Sequence, residues 1–350
     1  MAYSIRVCRL FGIDVKVHVS LALIIAILSY VFYVNKPPFG FSDLSDPLRA
    51  FLSIFTSVLI FVAVLIHELS HSLVARRLGA RVKEIILFIF GGVANIENIP
   101  KEPKKEFAIA IAGPLASLIL SITLLIPNRL TFLFGYFNLI LAFFNLIPAF
   151  PMDGGRILRS LLVKKYGYIR ATRISANVGK FLAILMGIFG LFYSIWLTLI
   201  ALFIYIGASE EEKAVTFESV LSKYKVGDVM TPNPMFVSPD DTVGDVLRLM
   251  LRHKHLGYPV VKDGKVVGVV TLKDIMNSEE FEKVENVMSR DVVAVNPDDS
   301  LIKALRIMSE RRIGRLPVLK DGKLVGIISR SDIIKLAEIL EVFEEIKKPE

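Results

Sequence analysis

One cysteine, Cys8, stands among 350 residues. That excludes an intrachain disulfide framework and any cysteine-rich metal site. Histidine is scarce too, at five in the whole chain, so any metal centre must draw on few imidazoles. Charge is thin: 22% of residues are Asp, Glu, Lys or Arg while 53% are hydrophobic. Mean hydropathy is +0.57, high for a soluble protein. The charge is also missing unevenly. Long stretches before Ala208 hold almost none, and the remainder reads as a charged, mixed α/β segment. Residues 1–16 lack a cleavable signal pattern. Arg6, Arg9 and Lys16 instead precede a long apolar run, Val19 to Val34, expected to be a retained first helix.

At this length the chain exceeds one ordinary domain. A helix needs about 20 apolar residues to cross the hydrocarbon core of a bilayer. Candidate spans lie near 17–34, 51–75, 107–126, 130–150, 174–190 and 192–208. They predict a polytopic α-helical membrane unit of about six transmembrane helices over 1–208. Between Ile174 and Ala208 there is one charge, Lys180, and no polar loop. A single helix there would run about 52 Å, too long for one crossing. A tight turn near Gly190 to Ser194 is therefore expected.

The net charge of +8 raises nucleic acid as a partner. The cations, however, sit between the apolar spans, as the positive-inside rule requires, and no nucleic acid is expected. Arg6, Arg9 and Lys16 precede the first span. Arg76, Arg77, Arg81, Lys83, Lys101, Lys104 and Lys105 separate the second and third. Arg156, Arg159, Lys164, Lys165, Arg170 and Arg173 separate the fourth and fifth. The other side offers only Lys36, Arg49 and Arg129. This asymmetry predicts a multi-pass protein of the cell membrane with both termini cytoplasmic.

Against that background one cluster of ionisable residues is out of place. His67-Glu68-Leu69-Ser70-His71 ends the apolar run Phe51 to Ile66. Ionisable groups at membrane depth cost several kcal/mol, roughly, unless function compensates. Residues i and i+4 share a helix face, so His67 and His71 can both reach one metal. HExxH is the zinc-protease signature, in which the adjacent Glu68 serves as general base for water. Catalytic zinc takes three protein ligands and keeps a fourth position for water. His18 is the spare imidazole of the membrane half. Asp153 is the better third ligand, in the run Asn145-Leu146-Ile147-Pro148-Ala149-Phe150-Pro151-Met152-Asp153-Gly154-Gly155. Pro148 and Pro151 break the helix, and Gly154 and Gly155 permit tight backbone geometry.

These residues resemble the site-2 protease family of intramembrane zinc metalloproteases. The resemblance covers the membrane half through HELSH at 67–71 and NLIPAFPMDGG at 145–155. It implies one zinc per chain, held by His67, His71 and Asp153. It implies water activated by Glu68, a substrate-positioning role for Asn145, and transmembrane proteins as substrates. The family also carries a glycine-rich segment, similar here to Phe90-Gly91-Gly92-Val93-Ala94-Asn95. There Gly91, Gly92 and Asn95 would meet an extended substrate by edge pairing. Ala112-Gly113-Pro114 also recurs in the family's third span, and reads locally as close helix packing.

After a polar linker, 209–224, comes an internal repeat. Val229-Met230-Thr231 matches Val287-Met288-Ser289, and Tyr258-Pro259-Val260 matches Leu316-Pro317-Val318, each 58 positions on. Each unit reads as strand, helix, strand, turn, strand, helix, with Asp263-Gly264 and Asp321-Gly322 suited to hairpin turns. Domains are expected at 225–282 and 283–345. They resemble a tandem pair of cystathionine-β-synthase-type (CBS) domains through Gly268-Val269-Val270-Thr271-Leu272-Lys273-Asp274 and Gly326-Ile327-Ile328-Ser329-Arg330-Ser331-Asp332. The resemblance implies an α/β module that binds an adenine nucleotide, and the six expected spans would return it to the cytoplasm. Asp274 and Asp332 would hold ribose, Thr271, Ser329 and Arg330 would meet phosphate, and the module would pair two chains into a homodimer. The same Thr271/Asp274 and Ser329/Asp332 pairs would also serve simply to cap helices. A CBS-regulated channel or transporter remains an alternative to a regulated protease. A transporter is expected to show inverted repeats with interrupted helices, and the sequence has no such symmetry.

Overall fold

A computed structural model describes residues 4–97, 100 and 102–346; Lys101, counted above among the loop cations, lies outside them. The chain divides into two compact units, Met1–Ala214 and Val215–Glu350.

The first unit opens with strands β1 (Ser4–Leu10) and β2 (Ile13–His18), followed by helices α1 (Ser20–Val34) and α2 (Asp46–Arg77) and strands β3 (Arg81–Phe88) and β4 (Gly91–Glu97). The four strands make one sheet in the order β1-β2-β3-β4. The β2–β3 pair is parallel, with Val15 opposite Ile85, and α1 and α2 form the crossover that such pairing needs. One face of the sheet, with Ile13, Ile85 and Leu87, packs on Leu21 of α1 and Phe61 of α2.

Then come α3 (Pro103–Ser121) with a 3-10 turn (Ile122–Leu125), α4 (Arg129–Leu146), α5 (Asp153–Tyr166), α6 (Tyr168–Tyr193) and α7 (Ile195–Leu221). Among the described residues four helices are long and apolar enough to cross a membrane: α2, α3 with its turn, α4 and α6. They match four of the six expected spans. α1 has 15 residues and reaches about 22 Å, short of a hydrocarbon core about 30 Å thick. Val17 and His18, expected inside that span, belong to β2 instead. α7 is apolar only as far as Ala208.

Most of the membrane-crossing surface is left exposed, as on α6, where Phe181, Ile184, Leu185, Ile188 and Phe189 all face outward. Lipid covers such a surface. On α6 the buried side is small or hydroxylic, which permits the close backbone approach that drives helix association in a bilayer. α6 buries Thr172, Ser175, Gly179 and Ala183 at helical spacing. Ser29 of α1 donates to Ser57 Oγ of α2 at 3.1 Å.

Ser194 alone separates α6 from α7, inside the expected turn. There a Cβ on Gly190 would lie 2.6 Å from Thr198 N. The segment 209–224, expected as a linker, instead continues α7 to Leu221. Its acidic residues find partners that keep it helical. Glu211 pairs with Arg159, and Glu212 with Lys180 and Arg173.

The second unit holds α8 (Val226–Val229), β5 (Thr231–Pro232), α9 (Val243–His253), β6 (Gly257–Lys262), β7 (Lys265–Thr271) and α10 (Leu272–Ile275). Then follow α11 (Val284–Val287), α12 (Leu301–Glu310), β8 (Arg315–Lys320), β9 (Lys323–Ser329) and α13 (Arg330–Ile346). β6–β7 and β8–β9 are matching antiparallel hairpins. Asp263, Gly264, Asp321 and Gly322 all take positive φ, as two-residue hairpin turns require. Thr242 and Asp245 form a capping box at α9. Bonds from Thr242, then Arg248, hold the Asp245 carboxyl down at about 2.

The repeats interlock. Met230, which leads the first, packs on Gly326 of β9 in the second. Met288, which leads the second, packs on Gly268 of β7 in the first, where a Cβ would lie 2.5 Å from its sulfur.

Candidate metal centre and nucleotide cleft

α2 presents His67 and His71 on one buried face, 3% and 7% exposed. Their Nε2 atoms lie 3.2 Å apart. Asp153 Oδ2 lies 3.2 Å from His67 Nε2 and 3.0 Å from His71 Nε2. A tetrahedral zinc with nitrogen and oxygen ligands at about 2.0–2.1 Å sets its ligands about 3.3 Å apart, so the triangle has nearly the required edge.

The far side of the His71 ring fixes what its near side presents. His71 Nδ1 is 2.6 Å from the Ile109 carbonyl, which can only accept. Nδ1 therefore carries the proton, and Nε2 offers a lone pair. His67 Nδ1 meets Ser117 Oγ at 2.9 Å, a hydroxyl that can donate or accept, so this contact orients the ring without fixing its tautomer. Two imidazole nitrogens and a carboxylate oxygen thus aim at one small space. A cation answers that arrangement, and this donor set suits zinc. His18 stands outside the triangle, with Nδ1 against Ser20 Oγ at 2.9 Å.

Asp153 reaches the histidines because α4 ends at Leu146 and the chain doubles back through Pro148 and Pro151 before α5 begins. A Cβ on Gly154 would overlap the Ile147 carbonyl, and one on Gly155 would lie 2.6 Å from Phe150 N. The glycine pair is therefore obligatory for this turn.

Glu68 follows the first histidine and lies against β4, where a Cβ on Gly92 would come within 2.5 Å of Glu68 Cγ. β4 is an edge strand. Gly91, Gly92 and Asn95 face Phe88, Leu87 and Glu84 of β3 on its paired side. Gly91 has φ 127, a conformation that other residues rarely adopt. Asn145 donates from Nδ2 to Leu141 O of its own helix at 3.0 Å. No described hydrogen bond joins it to the histidines.

Two residues of α3 complete the centre, and the sequence does not mark them as part of it. Ser117 is one. The other is Gly113, which faces the imidazoles rather than an ordinary helix surface. A Cβ there would lie 2.6 Å from His67 Nε2 and would overlap His71 Nε2. Nothing in the local sequence tells which helix Gly113 meets. The signals are the recurring Ala112-Gly113-Pro114 and the spacing of Gly113 and Ser117 on one helix face.

In the second unit, Thr271, Asp274, Ser329 and Arg330 line one cleft of about 770 Å³. Lys273, Arg311, Arg312 and Arg315 line it too, cations that no sequence motif singles out. Asp332 lines a smaller neighbouring cleft, with Ser329 and His255. The hydroxyl–carboxylate pairs do make capping boxes. Thr271 Oγ1 donates to Asp274 Oδ2 at 2.6 Å, and Ser329 Oγ to Asp332 Oδ2 at 2.7 Å. Cleft and caps coexist, because each carboxylate has further acceptor capacity.

Comparison with known proteins agrees with both units. Residues 55–128 and 125–188 match peptidase family M50, and 226–280 and 284–339 each match the CBS domain. A zinc metalloprotease of Methanocaldococcus jannaschii is 42% identical over 99% of this chain and 100% of its own length. A Synechocystis protein assigned to the zinc metalloproteases is 31% identical over 96% of each chain. The solved site-2 protease of Methanocaldococcus jannaschii is 41% identical, covering 60% of this chain and 95% of its own, at a TM-score of 0.45. With a full-length relative at that identity, the chain belongs to peptidase family M50 and is a multi-pass zinc metalloprotease of the site-2 protease type that carries a C-terminal pair of CBS domains.

Proposed function

We propose that this protease hydrolyses peptide bonds within transmembrane segments of other proteins, under control of an adenine nucleotide held by the CBS pair. The observation that carries the first part is the convergence of His67, His71 and Asp153 near the end of a membrane-crossing helix, with Glu68 beside them. In this reading the three residues hold one zinc per chain. Zinc bound there supplies Lewis acidity for the scissile carbonyl and a nucleophilic water near neutral pH. Glu68 takes the proton from the attacking water and delivers it to the leaving nitrogen as the C–N bond breaks. Asn145 orients the substrate carbonyl.

The substrate adds to the free edge of β4 as an extended strand, passing Gly91, Gly92 and Asn95. The bare Cα of Gly92 keeps that edge close to Glu68. A helical substrate must unwind first, since its peptide groups are shielded and already hydrogen-bonded. Proteomics of membrane peptides from cells carrying active or Glu68→Gln enzyme tests this. New termini inside transmembrane segments should accompany the active enzyme alone; cuts confined to soluble loops would reject the reading.

The lysine and arginine asymmetry supports cytoplasmic termini and a metal centre near the cytoplasmic face. Cysteine labelling in a Cys8→Ser background should find Lys36–Asp46 reactive from outside and residues 209–224 only from inside. External labelling of 209–224 would reverse the assignment.

The large cleft suits a nucleotide in size, and its lysine and arginine residues suit phosphate. α7 offers a covalent route for control: its residues Glu211 and Glu212 bond within the first unit, and Leu221 lies in a hydrophobic core of the second. Control further requires the nucleotide to favour one conformation over another, because tight binding alone shifts nothing. Calorimetry on the full chain in detergent should detect AMP, ADP, ATP or S-adenosylmethionine. Asp274→Ala should weaken the bound species at least about tenfold, or about 1.4 kcal/mol. No heat with any of the four would leave the module structural. Light scattering on the same sample should report a dimer, paired through the module; a monomer would remove that part.

A further inference from the structure

Behind the turn that carries Asp153 lies a buried ionic cluster that the chemistry above does not use. Arg159 of α5 is 5% exposed and Glu106 of α3 is 4% exposed. The Arg159 guanidinium bonds Glu106 Oε1 through Nη2 at 2.6 Å and through Nε at 2.7 Å. Its Nη1 bonds Glu211 Oε1 of α7 at 2.7 Å. Burying such charges is seldom the cheapest way to stabilise a fold, since apolar residues of similar volume do as well or better. What the guanidinium touches besides carboxylates is informative. It lies over the Phe150 ring at 5.0 Å and the Tyr168 ring at 4.9 Å.

Phe150 stands three residues before Asp153, inside the turn. α7 closes on the same turn. A Cβ on Gly207 would lie 2.6 Å from Pro151 Cδ. Ala208 packs with Phe150 and Ala176, and Ile204 with Ala149 and Met152. The turn is thus gripped by α7 and by a guanidinium that α7 itself anchors through Glu211.

We propose that Arg159 and Glu211 are positioning residues for Asp153. Glu211 holds the guanidinium over Phe150, and this fixes the turn that sets the Asp153 carboxylate against the two imidazoles. The inference rests on the reading of Asp153 as a zinc ligand.

The test is zinc affinity by chelator competition on the full chain in detergent, with kcat and KM alongside. Glu211→Ala, at a position with 31% side-chain exposure, should weaken zinc binding about tenfold or more, the usual range for groups that orient metal ligands. It should lower kcat with little change in KM. Lys180→Ala removes a neighbouring α6–α7 ion pair, Lys180 to Glu212 at 2.8 Å, that makes no described bond to Arg159 or to the turn, and should leave zinc affinity unchanged. Wild-type affinity in Glu211→Ala, or an equal loss in Lys180→Ala, would overturn the proposal. If Glu211→Ala does not fold, Glu211→Gln keeps the shape, removes the charge and is judged by the same two results. Asp153→Ala run in parallel separates the premise: zinc retained there defeats the ligand reading itself, whereas zinc lost there with Glu211→Ala unaffected defeats only the positioning role.

Discussion

Glu68→Gln should keep its zinc and lose hydrolysis by roughly 10²–10⁴-fold, the range that a positioned general base contributes. The amide preserves the size of the side chain beside Gly92 and leaves the His67, His71 and Asp153 triangle intact. Only the capacity to take a proton goes. Ala at any of those three positions should do the reverse, with zinc lost first and hydrolysis lost as a result. His18→Ala should bind zinc normally, because His18 is engaged with Ser20. Metal analysis of purified variants, set against cleavage of a transmembrane peptide, gives both readouts. Near-normal turnover by Glu68→Gln would remove the base from the mechanism, and zinc loss in His18→Ala would give the third ligand position to His18.

Gly113→Ala is the smallest substitution with a large expected effect. The added methyl would overlap His71 Nε2 and lie 2.6 Å from His67 Nε2, the two atoms assigned to the metal. α3 cannot retreat freely, because Ile109 O and Ser117 Oγ on the same helix bond the outer nitrogens of those imidazoles. Metal affinity should therefore collapse by well over about 100-fold, beyond the range seen when outer partners of ligands are removed. Chelator competition measures it. A Gly113→Ala enzyme with normal zinc content would mean that the imidazoles point elsewhere when loaded.

Much of this centre is legible in the amino-acid sequence. His67 and His71 share a helix face by spacing alone, and Pro148, Pro151, Gly154 and Gly155 announce a sharp turn around Asp153. Gly113 and Ser117 are not legible in that way, because their role depends on which helix crosses α2 and at what depth. The polytopic helical unit and the repeated α/β module follow from hydropathy and from the 58-residue offset. Family membership decides between protease and channel in favour of the protease.

The N-terminal sheet is the part that hydropathy hides. Ile13, Val15 and Val17 alternate with Asp14 and Lys16, the period of a half-buried strand. Yet β2 pairs with β3 across two intervening helices, and such distant pairing leaves no local mark. The segment 209–224 misleads for the opposite reason. Its run of glutamates looks like solvent-facing linker until Arg159, Arg173 and Lys180 are brought beside it by the fold.

The crossed methionines of the second unit bear on the order in which the protein can be made. Met230 emerges from the ribosome long before Gly326, the residue that receives it. The core around the β6–β7 hairpin can close once Met288 has been made, but Met230 has nowhere to pack until the final hairpin has been synthesised. The membrane helices precede both. The module is then the last part of the molecule to mature, and a chain stopped anywhere before β9 would leave the bilayer-embedded half tethered to an unfinished partner.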